Sequence, residues 1–162
     1  AHPDRVERLI LVDSSGYPPK PQSMPIGFRI ARVPVLNRLV RNVLPRHIIE
    51  SSLKNVYGDP SKVTPELLDR YRDMTLRAGN RIAIVHRFRQ GYTGNPEHIR
   101  SLRQPTLILW GAQDRLVPPE YGHTFARDIP GAKLVMFEGL GHVPQEEDPG
   151  RTVAALQAFL AR

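Results

Sequence analysis

Three short apolar runs, each ending in a loop of glycine or small polar residues, constrain this chain more than any other feature. Residues 8–13 read RLILVD, 105–111 read PTLILWG and 133–138 read KLVMFE. None alternates apolar with polar. A strand with one face in water alternates, because successive side chains point to opposite faces; a strand covered on both faces need not. Runs this short and continuous are expected to be parallel strands with helices on both sides. Between the second and third lies PPEYGHTFARDIPG, where Pro118 and Pro119 suit a first helical turn and Pro130-Gly131 ends the helix. After the third run, Val153, Leu156, Phe159 and Leu160 recur at helical spacing. The C-terminal part is therefore expected to run β-loop-α-β-loop-α, half of a doubly wound α/β sheet.

The middle of the chain has another rhythm. IGFRIARV, VLNRLVRNVL, RHIIESSLKNV, ELLDRYRDMTLRA and RIAIVHRFRQ each fit a short amphipathic helix, with prolines 25, 34, 45 and 65 near their starts. Thr64-Pro65-Glu66 pairs a capping hydroxyl with proline at the first helical position. Gly79 and Gly91 are the expected stops. A helical insertion, residues 17–98 at its widest, thus separates the first strand from the second.

The basic excess lies in this insertion. Residues 17–103 hold sixteen basic and six acidic side chains, although the whole chain is only +7. Nucleic acid or an anionic surface would exploit such a charge. No basic run of five, no aromatic interleaving and no nucleic-acid motif accompanies it, so solvated helix faces are the expected use. No stretch of 18 apolar residues is present to span a bilayer. Cysteine is absent, which removes disulfides, thiolate metal sites and cysteine nucleophiles together. The compartment stays open, with the cytoplasm favoured; so does the oligomeric state. The chain opens Ala1-His2-Pro3-Asp4 with no initiator Met and no signal-like stretch, and an upstream part is expected.

Groups that do chemistry in open parallel sheets gather at the carboxyl ends of the strands. Past the first run come Asp13, Ser14, Ser15 and Gly16; past the second, Gly111 to Arg115; past the third, Gly139 to His142. Loops of adjacent strands would bring Asp114 and His142 together. A carboxylate bonded to one imidazole nitrogen fixes the tautomer and steadies the imidazolium formed in catalysis. The pair is expected to be the acid and base of a nucleophile–base–acid triad.

At these residues the chain resembles the C-terminal half of an α/β-hydrolase-fold enzyme. In that family a strand followed by Gly-x-x-Asp and a proline carries the acid, and Gly-His-x-Pro-x-x-Glu-x-Pro carries the base. Here these are Gly111, Asp114 and Pro118, then Gly141, His142, Pro144, Glu147 and Pro149. The opening AHPDRVERLILVDSSG resembles the helix after the family's nucleophile plus the next strand. The resemblance implies a core of residues 1–16 and 99–162, about three strands of the family's parallel sheet, with residues 17–98 as a helical cap. It implies a small-molecule substrate, most simply an apolar carboxylic ester, and no cofactor or metal.

One part of the pattern is missing. The family's nucleophile sits on a Gly-x-Ser-x-Gly elbow, and no such motif occurs in the 162 residues. No residue of this chain is assigned as nucleophile; Ser14 and Ser15 lack the elbow glycines, and Asp13 is expected to be structural. C–C bond hydrolase, epoxide hydrolase and dehalogenase chemistry remain open within the fold. So does a reading of another class, a non-catalytic truncated chain or a binding module using the basic insertion. Glu146, Glu147 and Asp148 are expected at a helix start, where the dipole favours acids. His2, His47, His86, His98 and His123 show no ligand spacing. Trp110 is expected in packing, and Met24, Phe28, Tyr57 and Phe88 line either the pocket or the cap's own core.

Overall fold

The computed structural model describes residues 2–19, 29, 33 and 45–161. The helices expected over 26–44, and the pocket role weighed for Met24, Phe28 and the Phe88 side chain, lie outside that description. Strand β1 (Leu9–Val12), β2 (Thr106–Gly111) and β3 (Lys133–Phe137) form one parallel sheet in the order β1-β2-β3. Before β2 come helices α1 (Arg46–Val56), α2 (Pro65–Leu76), α3 (Asn80–Gln90) and α4 (Pro96–Arg100). Helix α5 (Glu120–Asp128) joins β2 to β3, and α6 (Pro144–Glu147) and α7 (Pro149–Leu160) follow β3. The three parallel strands form one sheet with helices packed on it, as the doubly wound pattern of the sequence leads one to expect.

Strand β2 is buried at all six positions, because it has a strand on each side and a helical layer on each face. Its alternate residues divide the core in two. Leu107 and Leu109 pack with Phe137, Leu140 and Phe159 under α7. Ile108 and Trp110 pack with Tyr121, Phe125 and Ile129 under α5. Trp110 is fully buried, and its indole N–H donates to the Val117 carbonyl at 3.1 Å. The outer strands are less covered than their apolar runs suggest. Among the described residues β1 has β2 as its only strand neighbour, and Ile10 is 37% exposed. A continuous apolar run thus marks a strand that can be covered on both faces, and the position in the sheet decides whether it is.

Among the described residues between β1 and β2, every regular element is helical. Local signals account for their starts. The Thr64 hydroxyl accepts from Leu67 N–H with Pro65 in the first turn of α2, and Asn95 accepts from Glu97 N–H at α4. Gly79 precedes α3 at φ 87° and Gly91 follows it at φ 65°, backbone that side-chain-bearing residues rarely adopt. Gly79 therefore opens a helix rather than closing one. Helix α4 runs across the point where the insertion was expected to end. The insertion has its own core of Ile49, Leu53, Tyr57 and Leu68, against which Val143 of the third-strand loop packs.

Candidate active site

The carboxyl ends of the three strands converge on one spot. Asp114 sits in the turn after β2, with its side chain wholly out of solvent. A carboxylate buried that deeply needs partners for both oxygens. Oδ1 accepts from the amides of Leu116 at 2.8 Å and Val117 at 2.9 Å, and Oδ2 meets Nδ1 of His142 at 2.8 Å. A carboxylate at Nδ1 selects the Nδ1–H tautomer and leaves Nε2 as the basic nitrogen. The imidazole is 24% exposed, so it is held on one side and accessible on the other.

The loop that presents His142 is fixed mainly through its backbone. Gly139 adopts φ 83°, which turns the chain out of β3. The His142 amide donates to the Val56 carbonyl at the end of α1 at 2.8 Å. A side chain on Gly141 would place its Cβ 2.3 Å from that same carbonyl, one on Gly111 would meet the Gly141 carbonyl at 2.0 Å, and one on Gly58 would meet the Gly141 amide at 2.6 Å. Three stretches of main chain, from the insertion, β2 and the histidine loop, thus touch at three glycines. The Glu147 carboxylate sits among them. Its Oε1 accepts from Gly141 N–H at 2.6 Å, and its Oε2 accepts from Gly58 N–H at 2.9 Å and Asp59 N–H at 3.3 Å. The Lys62 ammonium donates to the Glu147 carbonyl at 3.1 Å.

Glu146, Glu147 and Asp148 all fall at helix starts, as expected, but their side chains serve different partners. Only Asp148 caps, accepting from Arg151 N–H at the start of α7. Glu146 takes the hydroxyls of Tyr57 and Tyr71, and Arg70. Burial first, and then that carboxylate, raise the phenols of Tyr57 and Tyr71 above the ordinary range, Tyr71 to about 12. Glu147 is the buried clamp just described, and its only sequence signal was its place in the Gly-His-x-Pro-x-x-Glu-x-Pro motif. Tyr57 is 2% exposed in the insertion's core, which removes it as a pocket residue.

Asp13, at the end of β1, is 3% exposed and has φ 41°. Its Oδ1 accepts from Gly111 N–H at 2.8 Å, while Oδ2 is buried without a hydrogen-bond partner. One ligand-capable atom from each of Asp13, Asp114 and His142 fits within 4.8 Å of the others. Burial above all, with the Asp114 charge beside it, pushes the Asp13 carboxyl up to about 8. These three are also the one metal-capable group among the described residues, and none of the other histidines belongs to it. Both Asp114 oxygens already serve the two amides and the imidazole, so a cation there would compete with the 2.8 Å contact. The donor set suits acid–base chemistry better than metal ligation.

A cavity of about 540 Å³ opens over this cluster, lined among others by Asp13, Ser15, Tyr17, Arg87, Tyr92 and His142. Ser14 turns away, its hydroxyl donating to the Val12 carbonyl at 3.3 Å. Residues 1–156 match the model of the alpha/beta hydrolase family. The chain belongs to that family. An uncharacterized hydrolase of Bacillus subtilis, YugF, is 28% identical over 152 residues, 91% of this chain and 54% of that protein. The 2-hydroxymuconate semialdehyde hydrolase of Pseudomonas putida is 29% identical over 167 aligned positions, 99% of this chain and 56% of that protein. Among solved structures, a thermophilic esterase from Thermogutta terrifontis superposes with TM-score 0.74 at 27% identity, covering 99% of this chain and 57% of that one. The chain spans about half the length of the curated relatives it matches. Among the described residues no helix is long and apolar enough to cross a membrane.

Proposed function

We propose that this hydrolase cleaves a small carboxylic ester through a covalent acyl-enzyme, with His142 as the base and Asp114 as the acid that orients it. The observation that carries this reading is the 2.8 Å contact between Asp114 Oδ2 and His142 Nδ1 at the carboxyl ends of adjacent parallel strands, beside a cavity. The nucleophile is a serine outside these 162 residues, which contain no Gly-x-Ser-x-Gly elbow. Its hydroxyl loses a proton to Nε2 of His142 as it attacks the carbonyl, and the imidazolium returns that proton to the leaving alkoxide. Asp114 stays ionised and holds Nδ1–H. The helical insertion, residues 17–98, acts as the cap over the cavity, and residues 1–16 and 99–162 supply the core.

A C–C bond hydrolase is the second reading. The guanidinium of Arg87 lines the cavity and offers a partner to a carboxylate on the substrate. Two relatives are named as hydrolases of a nonadienedioate, a dicarboxylate. Steady-state assays of the full-length protein separate the two, with p-nitrophenyl acetate and butyrate on one side and a dienedioate of the C–C cleavage type on the other. Arg87→Met should spare the neutral esters and raise KM for the dioate. His142→Ala should lower kcat by about a thousandfold or more on whichever substrate is turned over. Wild-type turnover by that variant would remove His142 from the mechanism. The 162-residue chain by itself should show no esterase activity beyond its His142→Ala version, because base and acid alone lack nucleophile and oxyanion donors.

A further inference from the structure

The strand-end carboxyl group of Asp13 has no place in the two-residue scheme above, yet it lies against both of its members. Its surroundings are unusual for an aspartate. Oδ1 is held by the Gly111 amide, and Oδ2 points into protein with nothing to bond to if the group is a bare carboxylate. A buried carboxylate oxygen without a donor is among the costliest arrangements a fold can hold. The charged groups facing it make matters worse. From the β2 loop comes Asp114, whose carboxylate is committed to His142, and from α6 comes Glu147, committed to three amides. The cations nearby are turned elsewhere. Arg115 donates to the Tyr57 carbonyl and Arg87, from α3, donates to the Gly91 carbonyl. From the β3 loop, His142 turns Nδ1 to Asp114.

A proton on Oδ2 resolves all of this at once. It turns the orphaned acceptor into a donor and removes one of three like charges from a buried site. The carboxylate of Asp114, which lies against it, is the acceptor it can serve. We propose that Asp13 is a neutral carboxylic acid that donates a hydrogen bond to Asp114 and thereby positions that carboxylate for His142. Its tie to Gly111 N–H anchors it to the strand from which the Asp114 turn departs. The burial that disfavours its charged form agrees with this. Asp13 is a positioning residue: it reaches the reacting atoms only through Asp114 and His142. Its catalytic consequence rests on the hydrolase reading, but its protonation does not.

The direct test needs no variant. In the full-length protein, the ¹³C chemical shift of the Asp13 carboxyl carbon is followed by NMR from pH 4 to pH 10. A carboxyl that keeps its proton through pH 6 is the expected result, and ordinary titration near pH 4 overturns the proposal whether or not the protein proves to be an ester hydrolase. Asp13→Asn and Asp13→Ala then test the consequence. Asparagine copies the neutral acid, with an oxygen for Gly111 N–H and an N–H for Asp114, so kcat at pH 7 should stay within about threefold of wild type. Alanine leaves Asp114 unsupported and should cost on the order of 10-fold to 100-fold in kcat with KM little changed, the scale of a small misplacement near the reacting groups. On the alkaline side, the wild-type rate should fall as Asp13 ionises, and Asp13→Asn should lack that fall. If asparagine costs as much as alanine, or if the alkaline profile is the same in both, a neutral donor at residue 13 is refuted.

Discussion

The Glu147 carboxylate is the most exacting test of how the histidine loop is held. Replacing it by alanine removes a 2.6 Å bond from Gly141 N–H, a 2.9 Å bond from Gly58 N–H and a longer 3.3 Å bond from Asp59 N–H. The first two are short, charge-assisted and poorly hydrated; bonds to a charged group contribute about 1.5–3 kcal/mol each. The third is near the distance limit and adds little. Water can reach part of the space left behind, and a buried charge disappears, both of which offset the loss. A net destabilisation of about 3–5 kcal/mol follows, a large share of the roughly 5–15 kcal/mol that holds a typical protein. The assay is urea unfolding of the full-length protein, followed by far-UV circular dichroism, with Glu146→Ala as the control. Glu146 bonds Arg70 and two tyrosine hydroxyls at a partly open surface, so its loss should cost only about 1–2 kcal/mol. Glu147→Gln should fall between, because one amide oxygen can serve one cluster of N–H donors but not both. If Glu147→Ala unfolds within about 1 kcal/mol of wild type, the three amides are satisfied in some other way and the clamp is not what holds the loop.

Gly111→Ala should cost at least about 2 kcal/mol in the same assay, since its Cβ would overlap a backbone carbonyl that cannot rotate away. Asp13 gives a pH signature: with the folded carboxyl raised to about 8, the folded state keeps a proton that the unfolded chain has shed above pH 4. Stability should therefore fall as pH rises from about 4 to about 8 and level off above that, and Asp13→Asn should flatten this decline. The isolated 162-residue chain should self-associate through the edge of β1 that no strand among the described residues covers, and Ile10→Lys should reduce the association in sedimentation velocity.

The elements that position the site were legible in the sequence because local chemistry dictates them. The β2 run is continuous and ends in glycine, and the His142 turn is framed by glycine and proline; no distant residue is needed to read either. What escaped depends on contacts between segments far apart in the chain. Glu147 bonds Gly58 and Asp59 some ninety positions earlier, and no periodicity announces such a bond. Asp13 is expected to be structural, and its bond from Gly111 N–H fits that expectation. Its orphaned oxygen appears only once β1 lies beside β2. Tyr57 could be pocket or core from its sequence alone, and the carboxylate of Glu146 decides for core.

The contact of three glycines bears on how such a molecule can be re-engineered. The insertion meets the histidine loop through main-chain atoms: a carbonyl from Val56, and an amide and a bare Cα at Gly58. Side chains of α1 and α2 add a second layer to that joint: Ile49, Leu53 and Leu68 form the core on which Val143 packs, and Tyr71 and Arg70 bond Glu146. A chimera that grafts a foreign insertion onto this core has a short parts specification at the seam. It must bring one carbonyl, one glycine two positions later, an apolar seat for Val143 and donors for Glu146.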